Sequence, residues 1–99
     1  MTNTSDAMDS KPKPQPIEMW LTQKNMEVSC TVAREDETTT ELDVQSLSIR
    51  GAQREMTGWA LRMGYEPVGR WVAEVEPDSG GWGETYRRFR PTAAATWRV

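Results

Sequence analysis

The chain has 99 residues and a formal net charge of −3, and this length allows one domain. Its one cysteine excludes an internal disulfide framework and a multi-cysteine zinc site, and the lack of histidine removes histidine acid–base chemistry and the commonest metal ligand. No apolar run approaches the roughly 20 residues that a membrane-spanning helix needs, and no secretory signal is visible, so we expect a cytoplasmic protein.

The charged side chains are unevenly distributed along the chain. Residues 1–49 carry four cations and nine acids, whereas residues 50–99 carry eight cations and six acids. All eight cations of the second half are arginine, which suits bidentate contacts with carboxylate or phosphate better than lysine does. A GC-rich genome that favours arginine codons would produce the same bias, so composition leaves both explanations open.

The first segment is predicted to be a tail. Residues 1–16 consist largely of Ser, Thr, Asp and Pro and offer almost nothing to bury, so we predict that they are disordered. The prolines of KPKPQP at 11–16 alternate, which favours an extended polyproline II spacer. Residues 93–99 are predicted to form a frayed C-terminal tail.

Two strands are predicted before the middle of the chain, after a short apolar patch. The patch at 17–22 is interpreted as an extra edge strand or a flap over the helix. Residues 26–33 alternate in polarity, as a half-buried strand does, and 34–37 form a charged hairpin turn before a second strand at 38–44. The side chains predicted to face inward from the first strand are Met26, Val28, Cys30 and Val32.

The segment from Ser48 to Tyr65 is predicted to be the one helix. Apolar residues recur there at helical spacing and predict a core-facing stripe of Ala52, Met56, Trp59, Ala60 and Met63. Ser48 is a suitable N-cap, and Gly64 suits the left-handed position just after the helix. Arg62 in the last turn meets the negative end of the helix dipole.

Two more strands are predicted after the helix. Residues 68–76 have partly apolar side chains on both faces, which is typical of a strand inside a sheet, and 77–83 form a loop. Residues 84–90 form the last strand. Tyr86 and Phe89 are three apart, so we predict a bulge at Arg87-Arg88 that allows both rings to be buried.

The sequence therefore predicts a small α+β domain over residues 17–92. Its order is β-β-α-β-β, with one helix packed on a four-stranded antiparallel sheet. The other side of this sheet is expected to be open unless a second subunit covers it.

Three stretches carry a resemblance to known proteins: SxRGAQRE, GWALRMGYEPVGRW and ETYRRFRP, within the run from Trp20 to Pro91. They resemble short proteins without an assigned activity that are encoded in actinobacterial genomes and accessory elements. The helix and the GYEPV that follows it are similar to a small domain family with a G-W-E-L-V motif, from which Tyr65 and Pro67 depart. Neither resemblance implies an activity or site residues.

No phosphate-binding loop, nucleophile elbow, metalloprotease motif or paired-cysteine motif occurs in the sequence. We therefore expect a protein that is not an enzyme and that needs no cofactor or metal. Cys30 is expected to be a core residue, because a nucleophilic cysteine needs a nearby base and the chain has no histidine.

The first functional hypothesis is a module that binds a protein partner, with self-association into a homodimer as one form of it. Its support is the open sheet, the five tryptophans and an uneven helix face, because Trp, Tyr and Arg dominate interface hot spots. The candidate interface residues are Gly51, Arg54, Gly58, Leu61 and Trp82. The alternative is that Trp20, Trp59 and Trp71 build a small core and that the helix face is covered by the same chain.

The second hypothesis is nucleic-acid binding by an arginine-rich aromatic strand, which would neutralise phosphates and stack on bases. The candidate residues are Arg50, Arg54, Arg70, Tyr86, Arg87, Arg88 and Arg90. The sequence pI of about 4.9 disfavours this role, since nucleic-acid-binding domains are usually basic. The alternative is that Arg87, Arg88 and Arg90 pair with the local acids Glu41, Glu74 and Glu76.

Overall fold

The structure is a computed structural model that describes residues 15–76 and 82–92. The predicted N-terminal tail lies outside the described residues except for its last two positions. The predicted C-terminal tail at 93–99 and most of the predicted loop at 77–83 also lie outside them.

The described residues form five β-strands and one α-helix. In chain order these are β1 (Ile17–Lys24), β2 (Glu27–Arg34), β3 (Thr39–Leu42), α1 (Ile49–Arg62), β4 (Tyr65–Val75) and β5 (Trp82–Pro91). The predicted α+β class is confirmed, but the sheet has five strands rather than the predicted four. Within the described ranges, no helix is long and apolar enough to cross a membrane.

The additional strand is β1, and it is the central strand of the sheet. The strand order is β3-β2-β1-β5-β4, and all neighbours are antiparallel. Ile17 at the start of β1 lies opposite both Arg34 and Phe89, so β1 pairs along its length on both sides. The segment is therefore an extra strand, as one of the two interpretations had it, but it lies at the centre of the sheet rather than at its edge, and the flap interpretation is wrong. Met19 and Leu21 are fully buried, as side chains of a central strand should be.

Helix α1 packs across one face of the sheet, and the core fills the space between them. The buried apolar residues are Ile17, Met19, Leu21, Val28, Cys30, Val32, Ile49, Ala52, Met56, Ala60 and Phe89. Trp59 and Trp71 are partly buried against this core, so two of the three tryptophans predicted to pack there do so. Met26 does not, because it lies in the β1–β2 turn after Asn25 and its side chain is exposed.

The predicted caps of α1 are confirmed, but the last residue of its predicted apolar stripe is not buried. The Ser48 side chain accepts a hydrogen bond from the Gly51 N–H at 3.1 Å, which satisfies an otherwise unpaired donor. Gly64 has a φ of 90°, the left-handed conformation predicted for it. Met63 was predicted to face the core but is 57% exposed, because the helix ends at Arg62 and the cap residue leaves the apolar stripe.

The strand irregularities lie in β4, not in β5 as predicted. β5 pairs with β1 in unbroken register from Trp82 to Phe89, so Tyr86 and Phe89 point to opposite faces. The register shifts occur in β4, between Val68 and Val72 and again after Ala73. The regular β5 thus buries Phe89 under the helix and leaves Tyr86 on the other face.

The link between β3 and α1 is held by one carboxylate of the helix. Glu55 accepts hydrogen bonds from the backbone N–H groups of Gln45, at 3.0 and 3.1 Å, and of Ser46, at 3.0 Å. It also accepts from the Ser46 hydroxyl at 2.9 Å. These bonds lower the pKa of Glu55, with the Gln45 backbone as the largest cause.

Candidate interaction surfaces

The sheet face opposite α1, which we call the open face, is organised by pairs of side chains between β1 and β5. The Trp20 and Tyr86 rings stack with their centroids 4.6 Å apart, and on one side of them Glu18 pairs with Arg88 at 3.1 Å. The Trp20 indole N–H also donates to Glu18 at 2.9 Å. These contacts join the two central strands on the solvent side of the sheet.

Apolar side chains extend this stack towards β4 and towards the first residue of β5. Val72 lies opposite Tyr86, and Val68 lies opposite Arg88. Val68, Val72 and Trp82 are 41%, 45% and 40% exposed. No described element packs on this face, so its centre is an aromatic and aliphatic cluster in contact with solvent.

Charged side chains of both signs surround the cluster. Besides the Glu18–Arg88 pair, Arg90 pairs with Glu66 at 2.6 Å, and the Lys24 ammonium lies 5.8 Å from the centre of the Trp82 ring. The strand registers place five carboxylates and three cations on the open face: Glu18, Glu27, Glu41, Glu66, Glu84, Lys24, Arg88 and Arg90. This face therefore carries no excess of positive charge.

The second surface is a shallow groove on the opposite side of the molecule, between the flank of α1 and strands β4 and β5. It encloses about 460 Å³, and we call it the arginine groove. Its defining residues are Arg50, Arg54, Gly58, Leu61, Trp71 and Arg87. No Asp or Glu is among the described residues that line it.

Arg87 enters this groove because it lies on the same side of β5 as Thr85 and Phe89, which face the helix. Its Nε donates to the carbonyl oxygen of Gly69 at 2.9 Å, across the irregular part of β4. Burial lowers the pKa of Arg87 from its ordinary value. The guanidinium is thus partly desolvated and fixed in position.

The structure divides the residues predicted to form a protein interface. Arg54, Gly58 and Leu61 line the arginine groove. Gly51 lies beneath the segment before the helix, where an added Cβ would lie 3.1 Å from the Ser46 hydroxyl. Trp82 lies on the open face. The predicted interface residues therefore do not form one surface: three line the arginine groove, one lies on the open face and one packs inside the chain.

The residues predicted to bind nucleic acid are divided as well. Arg50, Arg54 and Arg87 meet in the arginine groove, whereas Tyr86, Arg88 and Arg90 lie on the open face. Arg70 is exposed in the irregular part of β4. Arg88 and Arg90 pair with carboxylates, although their partners Glu18 and Glu66 are not the acids that the sequence analysis considered.

Sequence reasoning missed the open-face cluster of Trp20, Val68 and Val72. The signal was present in β1, where Trp20 alternates with Ile17, Met19 and Leu21 and must point away from them. The alternation was visible, but its consequence was not, because β1 was not recognised as a central strand, whose outward side chain lies in the middle of a surface.

Cys30 is buried in the core, as predicted. Burial, with a smaller contribution from Glu55, raises the pKa of its thiol to about 12. Among the described residues no group of three or more Cys, Asp or Glu side chains is placed to hold a metal ion.

We expect the Cys30 thiol to react with Ellman's reagent at pH 8 at least about a hundredfold more slowly in the native protein than in urea, because the thiolate is the nucleophile. Unfolding frees the thiol to ionise, so the free energy of unfolding should also decrease as the pH rises above the ordinary cysteine value of 9.0. Equal reaction rates in the two states would contradict the assignment of Cys30 to the core.

Comparisons with protein-family models, with curated proteins and with solved structures found no match to this chain.

Proposed function

We propose that this chain is a cytoplasmic, non-enzymatic interaction module that forms a homodimer through the open face of its sheet. The observation that carries the proposal is the composition of that face. An antiparallel sheet with one solvated face normally presents polar side chains outward. Here the outward positions at the centre are Trp20, Tyr86 and Val72, and aromatic side chains of this kind dominate the energetics of protein interfaces.

The size of the open face is sufficient for a stable interface. Five strands spaced about 4.8 Å apart, with lengths of 4 to 11 residues that average about eight and a rise of ~3.3 Å per residue, give a face of roughly 24 by 26 Å. The projected area of about 600 Å² is close to the roughly 800 Å² per partner of typical specific complexes, and a side-chain-covered face buries more than its projection.

The mixed charges around the cluster favour a second copy as the occupant. In a two-fold dimer each residue contacts a different residue of the same patch on the partner copy. A patch that carries both positive and negative side chains can therefore pair its cations with the partner's acids. The pairs Glu18–Arg88 and Glu66–Arg90 provide such a rim around the apolar centre. A polyanion is less well matched, because each of these arginines already lies beside a carboxylate.

The test compares two substitutions of exposed apolar residues by glutamate on opposite sides of the molecule. Val72→Glu places a charge within the open face, and Leu61→Glu places the same charge in the arginine groove. We expect light scattering to give twice the 11.3 kDa chain mass for the wild type and for Leu61→Glu, and the chain mass for Val72→Glu. The reason is that burying an unpaired carboxylate at an interface opposes association.

Circular dichroism of both variants provides the control for folding. A wild-type protein that is monomeric across the accessible concentration range would refute the homodimer. A dimer that Leu61→Glu separates and Val72→Glu does not would move the interface to the helix side and also refute the proposal.

A further inference from the structure

We propose that the arginine groove binds a short acidic segment of another protein, whose carboxylates pair with Arg50, Arg54 and Arg87 and whose apolar side chain lies on Leu61 and Trp71. This inference does not depend on the proposed homodimer, because the groove lies on the other side of the molecule from the open face.

The first argument is that three arginines line the groove while none of the described residues that line it is an acid. The described part of the chain contains two ion pairs, and both use arginines of the open face. Arg50 and Arg54 are exposed and take part in neither. Arg87 is partly desolvated, and no carboxylate of the described residues forms an ion pair with it, which is unfavourable for a cation unless an anion joins it. An acidic ligand would offset this desolvation at Arg87 and would also pair with the exposed Arg50 and Arg54.

The second argument is that Arg50 and Arg54 destabilise the helix that carries them. Arg50 and Arg54 are four residues apart on the helix, a spacing at which like charges repel. Arg50 also lies in the first turn, where a cation opposes the helix dipole and where no acid is present. The acid of this helix, Glu55, directs its carboxylate to Gln45 and Ser46 instead. Folding therefore does not explain the arginines on this flank.

The third argument concerns the shape of the groove. Leu61 is 54% exposed and lies beside the partly buried Trp71. Gly58 leaves the helix backbone open between them, and packing does not require it, since an added Cβ would meet nothing nearer than the Arg62 guanidinium at 3.5 Å. An apolar side chain can therefore enter beside the arginines that line the groove.

These features favour a peptide over a nucleic acid. Base stacking needs an accessible aromatic face, and Trp71, the groove's ring, is half-buried against the core and packs in a T-shaped arrangement with Phe89, 6.3 Å between centroids. The remaining apolar contact is the aliphatic Leu61. A long polyanion also experiences the net charge of −3, whereas a short acidic segment experiences mainly the charges within about 8–10 Å.

The experiment measures fluorescence anisotropy of a labelled peptide of glutamates around a central pair of leucines, with the full chain as titrant. The matched peptide has glutamine in place of every glutamate, and a single-stranded oligonucleotide of similar length is the third probe. We expect the glutamate peptide to bind with an affinity that falls as salt is added, and the glutamine peptide and the oligonucleotide to bind at least about tenfold more weakly.

The decisive variant is Arg54→Glu, which we expect to weaken peptide binding by at least about tenfold. It replaces a like-charge pair in α1 by an opposite one, so the helix should be no less stable and loss of binding cannot be attributed to unfolding. Lys24→Glu on the open face makes the same change in net charge and should leave the affinity within about twofold.

Three results would overturn the proposal: equal binding of the glutamate and glutamine peptides, equal effects of Arg54→Glu and Lys24→Glu, or preferential binding of the oligonucleotide. The last would assign the groove to nucleic acid. Val72→Glu separates this test from the homodimer, since it should change the mass of the protein without changing its affinity for the peptide.

Discussion

Phe89→Ala is expected to lower the free energy of unfolding by about 3–5 kcal/mol, the usual cost of truncating a buried phenylalanine to alanine. Phe89 is fully buried on β5, opposite Ile17 of β1 and Pro67 of β4. Trp71 packs in a T-shaped arrangement with its ring, and Phe89 belongs to the same core cluster as the buried residues of helix α1. Truncation would leave a cavity where three strands and the helix meet.

This loss is a large part of the 5–15 kcal/mol that stabilises a typical small protein, so the variant should be substantially unfolded at 37 °C. Urea unfolding at equal protein concentrations provides the measurement. The control is Arg90→Ala, the next residue on the strand, whose ion pair with Glu66 is exposed and should contribute less than about 1 kcal/mol. Similar losses for the two variants would contradict the placement of Phe89 in the core.

Glu55→Ala is expected to cost about 1–3 kcal/mol, because hydrogen bonds to a charged group each contribute more than neutral ones. The substitution removes the acceptor that fixes Gln45 and Ser46 against the helix. Ser46 in turn lies over Gly51 at the start of α1, so the link from β3 into the helix should loosen. Hydrogen exchange should show faster opening of the first turn of α1 in the variant.

The contribution of Glu55 should depend on pH in a defined direction. Its pKa is lowered in the folded protein, chiefly by the Gln45 backbone, so the unfolded chain binds the proton more readily. The stabilisation is therefore fully present above the ordinary value of 4.5 and is lost as the pH falls through the lower folded value.

Glu55→Gln separates charge from hydrogen bonding in this test. It keeps one acceptor oxygen and does not titrate, so the difference in unfolding free energy between the wild type and Glu55→Gln should shrink as the pH falls below 4.5. A difference that stays constant between pH 7 and pH 3 would show that the Glu55 charge does not contribute to stability.

The open face was only partly predictable from sequence. An unpaired side of the sheet was expected, and alternation within β1 placed Trp20 away from Met19 and Leu21. What surrounds Trp20 depends on which strands flank β1, and that choice is not local. The stack on Tyr86 joins residues 66 positions apart, and the contribution of Val72 depends on a register that follows an irregular stretch of β4.

By itself, the sequence determined the features that depend on neighbouring residues: the helix and its Ser48 cap, the left-handed Gly64, and the burial of Cys30 by alternation in β2. These follow from hydrogen bonds and periodicities that span a few residues. Only the tertiary structure decided that β1 is central and that β5 runs without a bulge. It also brought Arg87 to Arg50 and Arg54, because pairing between distant strands and the packing of the helix over them select one arrangement among several that the local patterns allow.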